Sequence, residues 1–186
     1  GCIEFYDTTQ WINICDGTIA SGPCSGEPLE IIFDGLHYKP VESAGQCWLD
    51  RNLGASRVAN VSDDFEAYGN LYQWGRGSDG HEVINWTSSS GSDGAEQSNE
   101  STSQSTSPNP GSTFIIGFPN WYNGTNPNDL WKPDLTGVNN PCPSGYRVPS
   151  EAEWNAERLS WSSNNAAGAY ASPLKLPVAG RRVLST

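Results

Sequence analysis

The sequence predicts a loop-rich single domain of short strands with one well-marked helix, and three observations lead there. The 186 residues include 20 Gly and 13 Pro and no Met, a composition that punctuates the chain with turns and leaves no room for long helices. Only 35% of residues are hydrophobic, yet there are eight Trp, seven Tyr and five Phe. Rings that each bury roughly 150–250 Å² can stand in for many aliphatic side chains. The apolar residues also fall in short runs between turn signals, at a length that reads as one domain.

Residues 1–40 form a lead-in of strands. IEFYDTTQWINI, from Ile3, is rich in β-branched and aromatic residues and offers one or two short strands. LEIIFDGLHYKPVES, from Leu29, reads as a strand, a turn at Asp34 and Gly35, and a second strand ended or edged by Pro40. Residues 41–186 form the main domain. GQCWLDRNLGASRVA places Trp48, Leu49 and Leu53 among polar residues. Phe65, Tyr68 and Tyr72 then follow at helical spacing, but Gly69 and Gly75 restrict any helix to a turn or two.

Residues 87–113, TSSSGSDGAEQSNESTSQSTSPNPGST, have almost nothing apolar to bury and alone read as disordered. An ordered path here would need a neighbour, a glycan or another subunit to hold it. Residues 114–149 return to aromatics, with Pro and Gly dense enough to predict loops crossing a core. The helix signature is Ser150-Glu151-Ala152-Glu153, a capping box preceded by Pro149. Ala152, Ala156 and Leu159 share a face joined by Trp154 and Trp161, and Ser162 to Asn165 end the helix. SPLKLPVAGRRV, from Ser172, reads as a closing strand flanked by Pro.

The net charge of −11, from 10 Lys+Arg against 21 Asp+Glu, argues against nucleic acid and anionic membrane as partners. No apolar run approaches the ~20 residues of a membrane span. Five Cys stand at 2, 15, 24, 47 and 142 with no CxxC, and the two His are His37 and His81. That disfavours zinc and favours disulfides made outside the cytosol, so Cys2, Cys15, Cys24, Cys47 and Cys142 are all disulfide candidates. Cys15 and Cys24 bracket a turn-rich loop and suit a local bridge. The odd count leaves one thiol without an internal partner. Gly1 reads as a processed mature end.

CWLDRNLGASRVA, AYGNLYQWGRGSDGH, GVNNPCPSGYRVPSEAEWNAERLSW and NNAAGAYASPLKLPVAGRR, in that order, resemble the Fibrobacter succinogenes major paralogous domain family. RVPSEAEW is also distantly similar to formylglycine-generating, sulfatase-modifying domains. The resemblance implies an α+β, C-type-lectin-like fold with short helices, small antiparallel sheets and long ordered loops. It also implies export and display on a bacterial surface of the Bacteroidetes–Fibrobacter kind. Family members continue beyond the LPVAGRR block, with further strands and a late Cys. The expectation is therefore that a second chain or a neighbouring subunit completes the fold.

The candidate chemistry is non-enzymatic. No Ser lies in a nucleophile elbow near His37 or His81. The cysteines used by the formylglycine-generating enzymes have no matching pair here. Asp63-Asp64 and Glu151/Glu153 read as helix N-terminal charges. Calcium is the candidate cofactor, with Asp79, Glu82, Asp93, Asp129 and Asp134 as oxygen ligands in loops. Solvated acidic loops are the plainer reading. Trp121, Tyr122, Asn123, Asn126 and Trp131 would suit a carbohydrate-stacking surface, although these rings read more simply as core. Asn60, Asn85, Asn99 and Asn123 stand in glycosylation sequons. Arg51, Arg57, Arg76 and Arg147 are expected to pair with carboxylates and fix loops. The leading expectation is an extracellular binding or adhesion module with a carbohydrate or protein ligand. The alternative is a self-associating subunit of a surface fibre, and an enzyme of the formylglycine-generating type stands third.

Overall fold

In the computed structural model, residues 4–6, 11–13, 23–94, 100–117 and 120–182 are described, and turn chemistry organises the first half of the chain. β1 (Glu4–Tyr6) pairs antiparallel with β2 (Trp11–Asn13). β3 (Ile31–Phe33) returns as β4 (Leu36–Tyr38) through Asp34 and Gly35, at φ 51° and 73°. Positive φ at both central residues is the turn whose twist matches a two-residue hairpin. The same device joins β5 (Pro40–Ser43) to β6 (Gln46–Leu49) through Ala44 and Gly45, at φ 46° and 76°. Pro40 opens β5, where its missing N–H costs least.

β7 (Trp86–Ser88) and β8 (Gly91–Ser92) form a bulged antiparallel pair. β9 (Glu100–Ser101) and β10 (Phe114–Ile115) pair in parallel. Phe65–Ala67 and Pro127–Asp129 are single 3₁₀ turns. The helices are α1 (Glu151–Ser160) and α2 (Ala166–Ala171). The fold is mixed α+β: all the sheets among the described residues are two-stranded, and long loops join them. No helix among the described residues is long and apolar enough to cross a membrane.

The capping box forms as read. The Ser150 hydroxyl accepts from the Glu153 amide at 3.3 Å, and the Glu153 carboxylate accepts from the Ser150 amide at 2.7 Å. The face of α1 is a correction. Ala152 and Ala156 are exposed, Leu159 is 74% exposed, and the residue buried is Glu157. The helix is attached through its rings. Trp154 stands edge-on to Trp48 and Trp161 at 6.1 and 6.2 Å, and the Trp161 indole donates to Glu157 at 2.9 Å. α2 follows directly on Ser162–Asn165, the stretch read as the end of the first helix, and was not expected from the sequence. Asn165 caps it by accepting from the Gly168 amide, and Gly168 is required because a Cβ there would lie 1.8 Å from the Ser163 carbonyl oxygen.

Two further expectations are overturned. Cys24 bonds to Cys47, not to Cys15, with Cα atoms 4.9 Å apart across 23 residues. The bridge therefore ties the lead-in to β6, while Cys2 and Cys15 lie outside the described residues. SPLKLPVAGRRV forms no strand over its described residues. Pro173 and Pro177 lack an N–H, Lys175 sits at φ 50°, and Val178 makes a lone backbone bond to Ser62.

Candidate functional site

A segment rich in Gly and aromatic residues, 69–82, has almost no regular structure of its own. Its polar backbone groups must then be satisfied from elsewhere, and three indoles do part of this. Trp86 donates to the Gly69 carbonyl at 2.7 Å, Trp121 to Trp74 at 2.6 Å and Trp131 to Arg76 at 2.9 Å. The rings bury apolar area and spend their N–H groups on the loop. Trp121, Ile115 and Leu130 form a small apolar cluster, with Tyr122 packed against it.

Beside that cluster lies a polar hub. Arg76 is 0% exposed. It donates to Gln73 Oε1 at 2.7 Å, to the Thr113 carbonyl at 2.8 Å, to both Asp79 oxygens at 2.9 and 2.7 Å, and to the Gly111 carbonyl. Gln73 also brackets the backbone of Ile115, donating to its carbonyl at 2.8 Å and accepting from its amide at 3.0 Å. Asn139 donates to Gly75 and Pro108 carbonyls at 2.9 and 2.6 Å. The second half of the low-complexity stretch is thus held from within, by Arg76 and Asn139, where the sequence suggested a need for an outside neighbour. Residues 95–99, which include the candidate Asn99, lie outside the described residues.

His81 completes the hub. Its Nδ1 lies 2.6 Å from Asp79 and 3.2 Å from Glu82, while Nε2 accepts from the Gln73 amide at 2.9 Å. The ring is therefore the Nδ1–H tautomer, with both nitrogens occupied. Burial pushes the Glu82 carboxyl up, but hydrogen bonds from His81 and the Gly80 amide outweigh it and hold the group below the ordinary range. Asp79, His81 and Glu82 have donor atoms within 4.8 Å of one another, and no other such group occurs among the described residues. Asp79 already carries the Arg76 guanidinium, so the oxygens a cation would want are engaged.

The other calcium candidates have separate partners. Asp93 accepts from the Asn85 carboxamide at 3.2 Å, Asp129 pairs with Lys132 at 2.9 Å, and Asp134 accepts from the Thr136 hydroxyl at 2.6 Å. The arginines pair with carboxylates as expected: Arg51 with Asp50, Arg57 with Asp64 and Glu66, and Arg147 with Glu153. Asn60, Asn85 and Asn123 are exposed. Cys142 has a free thiol that burial pushes up to about 11, which makes it a poor nucleophile at neutral pH.

The proposed stacking residues differ in their exposure. Trp121 is 6% exposed and belongs to the core. Tyr122 and Trp131 are half-buried, and Asn123 and Asn126 are exposed. The most exposed indole among the described residues is Trp74, 66% exposed and held edge-on by Trp131 at 4.9 Å. Trp74 borders a cleft of about 560 Å³ formed by residues 70–74, 114–117, 120–121 and 180–182. Asn70 and Asn120 line it, as do Arg181 and Arg182, and the Asn120 Oδ1 accepts from the Tyr122 amide at 3.1 Å. Arg182 lies 3.8 Å from the Phe114 ring centroid and pairs with Glu100 at 2.8 Å. A second cavity, about 200 Å³ beside Cys47 and Tyr146, is lined by the Arg147–Glu153 pair, whose charges satisfy each other at 2.7 Å. Trp74 was missed because its neighbours in QWGRG give no periodic pattern, and the one available signal was an aromatic beside Gly in a non-helical run.

Comparison with protein-family models, with curated proteins and with solved structures returned no match.

Proposed function

We propose that this chain is a non-enzymatic, extracellular recognition module of a bacterial surface, C-type-lectin-like in fold, and that it takes a carbohydrate in the cleft beside Trp74. The observation that carries the reading is an indole two-thirds exposed yet held edge-on by Trp131, at the edge of a cleft that Asn70 and Asn120 line. Leaving a Trp face in water is costly. A fixed ring beside amide groups is the pairing that a sugar uses, with its C–H face stacked and its hydroxyls hydrogen-bonded. The Cys24–Cys47 bridge supports an oxidising compartment.

The test is a glycan array followed by titration of Trp fluorescence with any sugar that binds. Trp74→Ala should weaken binding at least tenfold, while Trp154→Ala, at a residue that does not line the cleft, leaves it unchanged. If no glycan binds, or W74A binds as well as the parent, the reading is wrong.

The second reading, a fibre subunit completed by a neighbouring chain, draws on the outward apolar face of α1 at Ala152, Ala156 and Leu159. Electron microscopy separates the two, because ordered polymers would favour the fibre and single particles the module.

A further inference from the structure

We propose that the cleft beside Trp74 selects an anionic sugar, with Arg181 as the residue that reads its carboxylate or sulfate. The inference rests on the carbohydrate reading above and deepens it. The chain has 21 acidic against 10 basic residues, so carboxylates outnumber cations about two to one among the groups a surface cleft could carry. Among the described residues lining this one there is none, and two arginines are present.

The arginines differ in what they leave unspent. Arg182 is paired with Glu100 and packed on Phe114, so its charge is offset and its position fixed. Arg181 is exposed and makes no ion pair among the described residues. It leaves one cation without an ion pair among the described residues in the cleft that Trp74, Asn70 and Asn120 also line. The net charge of −11 repels anions from the molecule as a whole. A local positive group in a carboxylate-free cleft reverses that field only at short range. A guanidinium offers a carboxylate or a sulfate paired N–H donors in a planar fork. Trp74 supplies the apolar plane that a polyanion without a sugar ring would not need.

The probes are uronate oligosaccharides, each titrated beside its own methyl ester, which keeps the ring and erases the charge. Sulfated and unsulfated forms of a neutral oligosaccharide form the second arm. An acid or a sulfate should bind roughly tenfold tighter than its uncharged counterpart, the step expected of hydrogen bonds to a charged group. Whichever arm shows the preference names the anion. Arg181→Ala should remove the preference while leaving the uncharged sugar's affinity in place, Arg181→Lys should keep part of it, and added salt should erode it. Equal affinity for charged and uncharged forms overturns the inference and leaves the carbohydrate reading standing. The inference is also overturned if tetraglutamate binds as tightly as the best sugar and W74A has no effect on it. Binding of no sugar at all removes both.

Discussion

The hub around Arg76 and the helix α1 solve the same problem in opposite ways. Both must satisfy polar groups on a chain poor in aliphatic residues. α1 does so with what lies within a few residues: Ser150, Glu153 and the helical ladder itself. It then turns Leu159 to solvent and buries Glu157. The 69–82 segment has no ladder, and draws instead on Thr113, Gly111 and Asn139 and on three indoles up to 55 residues away. The contrast teaches that polar side chains are buried here as deeply as apolar ones, with Arg76 Nε and Glu157 Oε2 left without a hydrogen-bond partner. The side chains with least exposure include Arg76, His81 and Glu157 beside Tyr38 and Tyr68.

The sharpest way to break the comparison is to remove the hub's donor. Arg76→Met should cost about 3–5 kcal/mol, the range for a buried pair that loses one partner, because Asp79 and two carbonyls lose their donor together. Arg76→Lys should recover little, since an ammonium cannot span Asp79, Thr113 and Gly111 at once. Urea unfolding measures both. A loss below 1 kcal/mol for R76M would mean that the indoles and Gln73 hold the loops without it.

This is also where the sequence stops being legible. The hairpin turn at Asp34–Gly35 and the capping box at Ser150 depend on neighbours in the chain, and the residues name them. The arginine–carboxylate pairs were legible as a type, because a charge that is buried must be matched. The bridge from Cys24 to Cys47, the exposure of Trp74 and the path of 100–113 depend on contacts between distant segments. Local pattern said nothing of those partners. The stripe Ala152–Ala156–Leu159 misled for the reverse reason. Its periodicity is real, but small Ala side chains bury little area, and the Trp residues on the flank decide how the helix docks.

The disulfide gives a covalent staple to set against the polar one. Replacing Cys24 and Cys47 together with Ala should lower stability by about 3 kcal/mol, as expected for closing a loop of this order of length. That is no more than R76M costs, and the parent under reducing conditions should match the double variant. Thermal melts with and without reductant check this. A reduced parent as stable as the oxidised one would place the lead-in outside the cooperative unit.

The local solution should be cheaper to break. Ser150→Ala should cost about 1 kcal/mol. Its partner Glu153 adds a pH signature: the Arg147 guanidinium, with help from Ser150, lowers its carboxyl from the ordinary 4.5 to about 2. A depressed folded value means stability that is complete above the ordinary value and lost as pH falls from 4.5 towards 2. Other carboxylates, Asp64 among them, are also held low by an arginine, so the parent and Glu153→Gln must be compared. The gap between them should be widest above pH 5 and close towards pH 2. A gap independent of pH would show that Glu153 acts through shape and not charge.

The smallest expected effect is at Leu159, and it decides whether α1 faces water. At 74% exposure the side chain has little left to lose, so Leu159→Ser should change stability by no more than about 0.5 kcal/mol. A buried leucine truncated this far would cost roughly 2–5 kcal/mol, and the two outcomes do not overlap. A large loss that grows with protein concentration would mean that a second chain covers the Ala152–Ala156–Leu159 face, and would move the balance towards the fibre subunit. A small loss at every concentration leaves α1 as a helix whose stability comes from its cap and its flanking tryptophans, with its most apolar stripe turned to solvent.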